Sequence, residues 1–313
     1  VALGDDVFVF QATETLTAAD TINGVAGNDI IRLDNDDNAD KAGDAVAATL
    51  DASVTNIDTV LVNDIGSTDT AGNVTVTLDT TFAQKALEID GSALDLGEVL
   101  TIAAGNNSAL ETVTVKGGAG ADVIVTGAAK DVITGGGAAD TITAGGGADT
   151  ITGGAGADNF VYTVTNANAS THSTSAAKDT ITDFTAKSDN LNLTVALANG
   201  GQTVDYNDKG NTTSVADGLS LLSSVKGQYF FDTTNSQVVF DLDGNGLIQA
   251  TDLMISMTGA TGILESDVNI TITGGTGADT IVTGDGNDVF VASNGIDAIT
   301  TGGGSDTVSY AGI

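Results

Sequence analysis

The sequence predicts an all-β fold, a parallel β-solenoid, and two observations predict it. Blocks of nine residues repeat in two runs, each with an aspartate and an apolar residue at fixed places. Upstream, two apolar columns recur at every thirteenth position. Five segments follow: 1–48 with degenerate repeat turns and an acidic loop, 49–116 as a solenoid, and 117–183 as a first run of nine-residue turns. An insert over 184–273, holding a short helix and an acidic loop, and a second run over 274–313 complete the chain. The 41% hydrophobic content, mostly Ala, Val, Ile and Leu with Thr beside them, is enough to bury a core.

In the first segment Asp20 and Asp29 stand nine apart, with Ile22 and Ile31 two residues after each; Asp6 and Phe8 look like one further turn. In the second, Val74, Leu87, Leu100 and Val113 form one column and Val76, Ile89, Ile102 and Val115 the other. Paired apolar columns at constant spacing predict parallel strands stacked in register. Nothing there carries chemistry, and a structural core is the expectation.

From Gly117 the chain reads GGAGADVIV, TGAAKDVIT, GGGAADTIT, AGGGADTIT, GGAGADNFV. The sixth residues are Asp122, Asp131, Asp140, Asp149 and Asp158; the eighth are Ile124, Ile133, Ile142, Ile151 and Phe160. From Gly274 the blocks GGTGADTIV, TGDGNDVFV, ASNGIDAIT and TGGGSDTVS place Asp279, Asp288, Asp297 and Asp306 sixth. A strand alternates faces, so the apolar eighth residue points inward. Glycines supply left-handed backbone angles and let carbonyls approach an ion, and aspartate adds the hard anionic oxygen that calcium prefers.

These blocks match G-G-x-G-x-D-x-U-x, and the chain resembles the RTX family of calcium-binding nonapeptide repeats. The resemblance implies a right-handed parallel β-roll, in which a six-residue loop and a short strand recur on opposite sides. Several Ca2+ ions are then expected between loops two blocks apart, on the same side of the roll. The same-side pairs are Asp122–Asp140, Asp140–Asp158, Asp131–Asp149, Asp279–Asp297 and Asp288–Asp306, with Gly117, Gly135, Gly153 and Gly274 opening their blocks; Asp20 and Asp29 join the candidate ligands. Ala128-Ala129, Ala138-Ala139 and Ala292-Ser293 depart from the glycine signature and weaken some sites. Gly-Asp turns without ions are disfavoured, because stacked unneutralised carboxylates repel.

After the first run, Asp179-Thr-Ile-Thr-Asp183-Phe resembles the segment that closes such a roll, and its two aspartates are candidates to cap the last turn. Ser214 with Asp217, followed by Leu219, Leu222 and Val225, predicts a capped amphipathic helix of about three turns, packed against the sheet. Residues 241–252 fit an EF-hand loop: Asp241, Asp243 and Asn245 at positions 1, 3 and 5, Gly246 at 6, the Leu247 carbonyl at 7 and Asp252 at 12. Position 12 is Asp rather than the longer Glu, and QVVF before the loop predicts an entering strand instead of a helix.

Several functions are excluded. Nine basic residues against 42 acidic ones give a net charge of −33, too few cations for nucleic acid or anionic lipid. No apolar run approaches the length of a membrane-spanning helix, so no membrane insertion is expected. Without cysteine there is no disulfide, thiolate site or cysteine nucleophile. The lone His172 cannot build a two-histidine zinc site, G-x-S-x-G and the phosphate-loop lysine motif are absent, and identical repeat aspartates offer no acid/base pair with distinct environments. No enzymatic activity is expected. A flat threonine ladder of the ice-binding kind would be too short, because successive Thr-Ile-Thr copies lie on opposite sheets.

No signal peptide is visible and neither end reads as a natural terminus, which suggests a piece of a longer chain. The resemblance implies type I secretion of an unfolded bacterial protein to the extracellular space. Two readings of the folded chain stay open. One is a surface-layer (S-layer) structural protein, self-associating into a two-dimensional lattice at the cell surface, with a glycan or lipopolysaccharide as partner of other parts of the chain. The other is the C-terminal calcium-binding and secretion module of a hydrolase, toxin or adhesin.

Overall fold

A computed structural model of the chain describes residues 4–11, 15–17, 19–35, 46–64, 72–83, 86–105, 112–165, 169–170, 173–292 and 294–310. The acidic loop expected before residue 48 falls largely on 36–45, and this stretch and His172 lie outside the described residues. The chain forms two compact units, 1–158 and 159–313.

The first unit is a β-solenoid with two walls, each a parallel sheet. One wall stacks Val7–Gln11, Ile30–Asn35, Thr59–Asp64, Leu87–Asp90, Val113–Lys116, Val132–Gly137 and Thr150–Ala155. The other stacks Val46–Leu50, Val74–Leu78, Leu100–Ala103, Val123–Val125 and Thr141–Thr143. From Ile30–Asn35 onward, successive wall strands alternate between the two walls. Consecutive members of the apolar columns are therefore not neighbours in one sheet: Val74 pairs with Leu100 and Leu87 with Val113, each skipping one member of its column. One column step is half a coil, because each coil spends one strand on each wall. The coil tightens along the chain, from 29 residues between Asp29 and Asp58 to 18 between Asp131 and Asp149.

Alternation buries the core. Val74–Leu78 alternates buried and half-buried residues, and Ile124, Ile133, Ile142 and Ile151 are at most 1% exposed. Burying each such side chain is worth about 1.5–3 kcal/mol, while the intervening threonines face outward.

The second unit continues the pattern and then departs from it. Asn159–Thr165, Asn190–Ala196, Val268–Thr273, Val289–Ala292 and Thr307–Tyr310 form one parallel sheet. Both ends of the segment read as an insert thus supply strands to this sheet. A three-stranded parallel sheet joins Thr203–Tyr206, Thr280–Thr283 and Ala298–Thr300. Ile281 and Phe290 are buried as expected of eighth residues, but Ile299 is half-buried and Val308 is 43% exposed. Both lie on edge strands, with a neighbour on one side only.

Antiparallel pairing appears where connections are short. Tyr229–Asp232 pairs with Gln237–Phe240, which pairs with Leu253–Met257. A tight turn and the single loop 241–252 cannot make the crossover that parallel strands need. The helix is shorter than its pattern predicts, Val215–Leu219 only. Its cap is as expected: Asp217 N–H donates to Ser214 Oγ at 3.1 Å. Serines end it, since Ser220 Oγ donates back to Asp217 O and both N–H and Oγ of Ser223 donate to Gln228 Oε1. Val215, Leu219 and Leu222 still pack on Phe230, Val239 and Met254, together with Ile248.

Candidate metal centres

Each nonapeptide aspartate sits at the end of a loop, just before a strand whose register fixes it. All five pairs expected from the two-block spacing are brought together. The backbone N–H of Asp122 donates to Asp140 Oδ1 at 2.8 Å, Asp131 to Asp149 at 2.7 Å and Asp140 to Asp158 at 2.9 Å. Asp279 donates to Asp297 at 3.0 Å and Asp288 to Asp306 at 3.1 Å. The result is a ladder of carboxylates, each tied by one oxygen to the preceding coil. Asp122, Asp131, Asp140, Asp149, Asp158, Asp279 and Asp288 are at most 1% exposed; Asp297 and Asp306 are half-buried.

The second oxygen carries the chemistry. Oδ2 of Asp131, Asp140, Asp279 and Asp288 is buried without a hydrogen-bond partner. A buried anionic oxygen left unsatisfied costs several kcal/mol unless a cation meets it. Gly117 and Gly135 show where the cation fits. A Cβ at Gly117 would overlap Gly135 O and Asp122 Oδ2, and one at Gly135 would overlap Gly153 O and Asp140 Oδ2. A carbonyl of the next coil and the carboxylate of the same loop thus converge on the space the missing side chain leaves. These hard oxygens are the donor set of calcium.

Proton affinities report the same strain. Burial pushes the Asp140 carboxyl up to about 7 against the Asp122 N–H that favours its charge, and neighbouring Asp122 and Asp158 push it further. Burial likewise raises Asp122, opposed by the N–H groups of Leu100 and Gly118, and Asp131, opposed by that of Val113. Replacing Gly117 by alanine should drive a Cβ into the ladder. The expected loss is about 1–3 kcal/mol with weaker calcium binding, measured by thermal melts and calcium titration; an unchanged melt would show that the glycine is dispensable.

Asp29 belongs to a second ladder. Its Oδ1 accepts the Asp6 N–H at 2.9 Å, and its own N–H donates to Asp58 Oδ2 at 2.8 Å. A Cβ at Gly24 would overlap Asn56 O and Asp29 Oδ2, as at Gly117. Asp58 is not apparent from the sequence because it lies 29 residues from Asp29, where the coil is still long. Asp20 does not join this ladder: its carboxylate accepts the N–H and hydroxyl of Thr17, within its own turn. Asp179 is buried at the start of Asp179–Ile181, its N–H bonded to Ser173 Oγ at 2.7 Å. Gly274 holds its place in the roll through an N–H bond to Val291 O at 2.9 Å.

The loop 241–252 closes the hairpin between Gln237–Phe240 and Leu253–Met257, so strands flank it as expected. Carboxylate oxygens of Asp241, Asp243 and Asp252 lie within 4.8 Å of one another. Backbone N–H groups orient them: Gly244 and Gly246 donate to Asp241, and Leu242 and Gln249 to Asp252. Asn245 Oδ1 accepts the Leu247 N–H at 2.7 Å, and its amide donates to Asp243 Oδ2 at 2.7 Å. Gly246 adopts φ +71°, the left-handed turn that position 6 requires. Burial pushes the Asp252 carboxyl up to about 6, against the Gln249 and Leu242 N–H groups, with Asp243 and Asp241 adding to the rise. Asp252→Asn should remove one calcium ion and leave the roll intact, seen as one fewer ion by native mass spectrometry with unchanged far-UV circular dichroism. An undiminished ion count would remove this loop from the set of sites.

A ladder of buried aspartates across glycine turns defines a calcium-binding β-roll. Residues 52–270, more than half of the chain, match the family model described as Peptidase M10 serralysin C terminal. Residues 15–39 and 273–308 match that of the RTX calcium-binding nonapeptide repeat (4 copies). The chain belongs to the serralysin C-terminal family and carries RTX repeats, which bind Ca2+. A comparison with curated proteins finds no match. The chain is a calcium-binding module of a type I secreted protein. Among the described residues no helix is long and apolar enough to cross a membrane.

Proposed function

We propose that the chain is a structural segment of a secreted bacterial surface (S-layer) protein that folds on extracellular calcium and assembles into a lattice. The observation that carries this reading is the carboxylate ladder, in which Oδ2 of Asp131, Asp140, Asp279 and Asp288 is buried with no hydrogen-bond partner. Without calcium, 42 acidic side chains repel and the glycines cost backbone entropy on ordering. Extracellular calcium modules bind at about 10⁻⁴–10⁻³ M, far above cytosolic calcium. A chain tuned this way stays loose inside the cell and sets outside it. Its partners are further copies of itself, with a cell-surface glycan or lipopolysaccharide held by other parts of the chain. No reaction is placed in this segment.

The serralysin C-terminal match over 52–270 favours a second reading, the calcium-binding and secretion module of a type I secreted hydrolase, toxin or adhesin. Electron microscopy of the purified protein with and without calcium separates the two. Ordered sheets that form only with calcium support the lattice; persistent monomers in calcium contradict it and favour the module.

A further inference from the structure

In the first unit one turn overhangs a shorter one. Asn23 pairs with Thr55 before these turns and Ile30 with Thr59 after them, so the six residues 24–29 face only the three residues 56–58. In the tight coils the turns match. Val125 pairs with Thr143 and Val132 with Thr150, so 126–131 faces 144–149, six against six. The shorter turn leaves an open cleft of about 720 Å³, within the range of small-ligand sites. Val25 and Gly27 line it from the longer turn, Asn56 and Asp58 from the shorter one, and Ala83 and Ala86 from the coil beyond. Val25 stands at φ +70°, a strained conformation for a β-branched residue, and its side chain is 42% exposed.

Asp29 also lines the cleft, 1% exposed, with an Oδ2 that accepts no hydrogen bond. A Cβ at Gly24 would overlap both this oxygen and the Asn56 carbonyl, so the two oxygens border one space. The Asn56 side chain is engaged elsewhere, its amide donating to Asn23 Oδ1 at 2.8 Å, while φ +53° turns its backbone. Beside them Asp58 Oδ2 accepts the Asp29 N–H at 2.8 Å. Calcium takes about six to eight oxygens. In a tight coil the facing turn offers a full set of loop carbonyls; here three of those residues, and their carbonyls, are missing. An ion at Asp29 Oδ2 and the Asn56 carbonyl therefore keeps coordination positions that face the cleft. None of the described residues lining it is basic, so a carboxylate or phosphate ligand would meet like charge from Asp29 and Asp58. Neutral vicinal hydroxyls offer the same hard oxygens without that repulsion.

We propose that the cleft between 24–29 and 56–58 binds a neutral saccharide, two vicinal hydroxyls completing the shell of a calcium ion held by Asp29 Oδ2 and the Asn56 carbonyl. The site rests on the calcium-binding reading of the chain. A panel of immobilised neutral hexose and 6-deoxyhexose glycosides, in millimolar calcium, tests it. At least one glycoside should retain the wild-type chain. Asp29→Asn should bind one ion fewer by native mass spectrometry, with the far-UV circular dichroism of the roll preserved. Its retention should fall by about tenfold or more, since even outer-shell partners of a metal carry that much. A second variant leaves the ion alone: Ala86 is exposed, and Ala86→Leu narrows the cleft. That protein should keep the full ion count and melting temperature and still lose retention. A wild-type chain with its ions bound that no glycoside retains overturns the saccharide site, as does Ala86→Leu with undiminished retention. Asp29→Asn with the full ion count overturns the ion at Asp29. A wild-type chain that binds no calcium would instead overturn the reading on which the site rests.

Discussion

Stripping calcium with a chelator should lower the melting temperature by about 20 °C and loosen most of the strand signal. The size of the effect follows from the sites. Five inter-coil pairs and the 241–252 loop make six. Each, at calcium ten times its dissociation constant, adds about 1.4 kcal/mol, so roughly 8 kcal/mol depends on the metal. That is comparable to the whole stability of a domain, and about 2–4 °C per kcal/mol gives the shift. The effect should follow total calcium and reverse on adding it back. Melts by circular dichroism across a calcium series measure it directly.

Asp140→Asn should have the largest effect of any single substitution in the ladder, and one that changes sign with the metal. Asp140 takes part in two pairs, accepting from Asp122 and donating to Asp158. In calcium its loss should remove two ions and about 3 kcal/mol. In chelator the same change removes a buried charge whose carboxyl burial has pushed up to about 7, and the variant should be the more stable protein. The pH dependence follows. Between the unfolded value near 3.8 and about 7 the folded metal-free chain binds more protons than the unfolded one. Its stability therefore falls as pH rises through that window, and acidification from about pH 8 to about pH 5 should stabilise it. The Asn variant should lose that part of the gain. Denaturant melts at the two pH values, in chelator, would expose the opposite slope if the ladder were held by something other than ions.

The tight coils are legible in the sequence because every aspartate there recurs with the strand it precedes: Asp122 to Asp140 is one coil. Where the coil runs to 29 residues the repeat dissolves, and Asp58 cannot be matched to Asp29 by counting. The evenly spaced apolar columns are true core positions, but alternation between walls is invisible to a period, since half a coil and a whole coil bury the same residue types. The acidic loop at 241–252 is readable because its ligands are contiguous in sequence. The helix ends early because Ser220 and Ser223 bond the backbone and Gln228, local choices that apolar spacing does not encode.

Anomalous diffraction from crystals grown in millimolar calcium tests the central claim most directly. Peaks should lie between Asp122 and Asp140, Asp131 and Asp149, Asp140 and Asp158, Asp279 and Asp297, and Asp288 and Asp306, each within carboxylate and glycine carbonyl reach. Crystals with the same coils and no anomalous signal at any of these turns would contradict it.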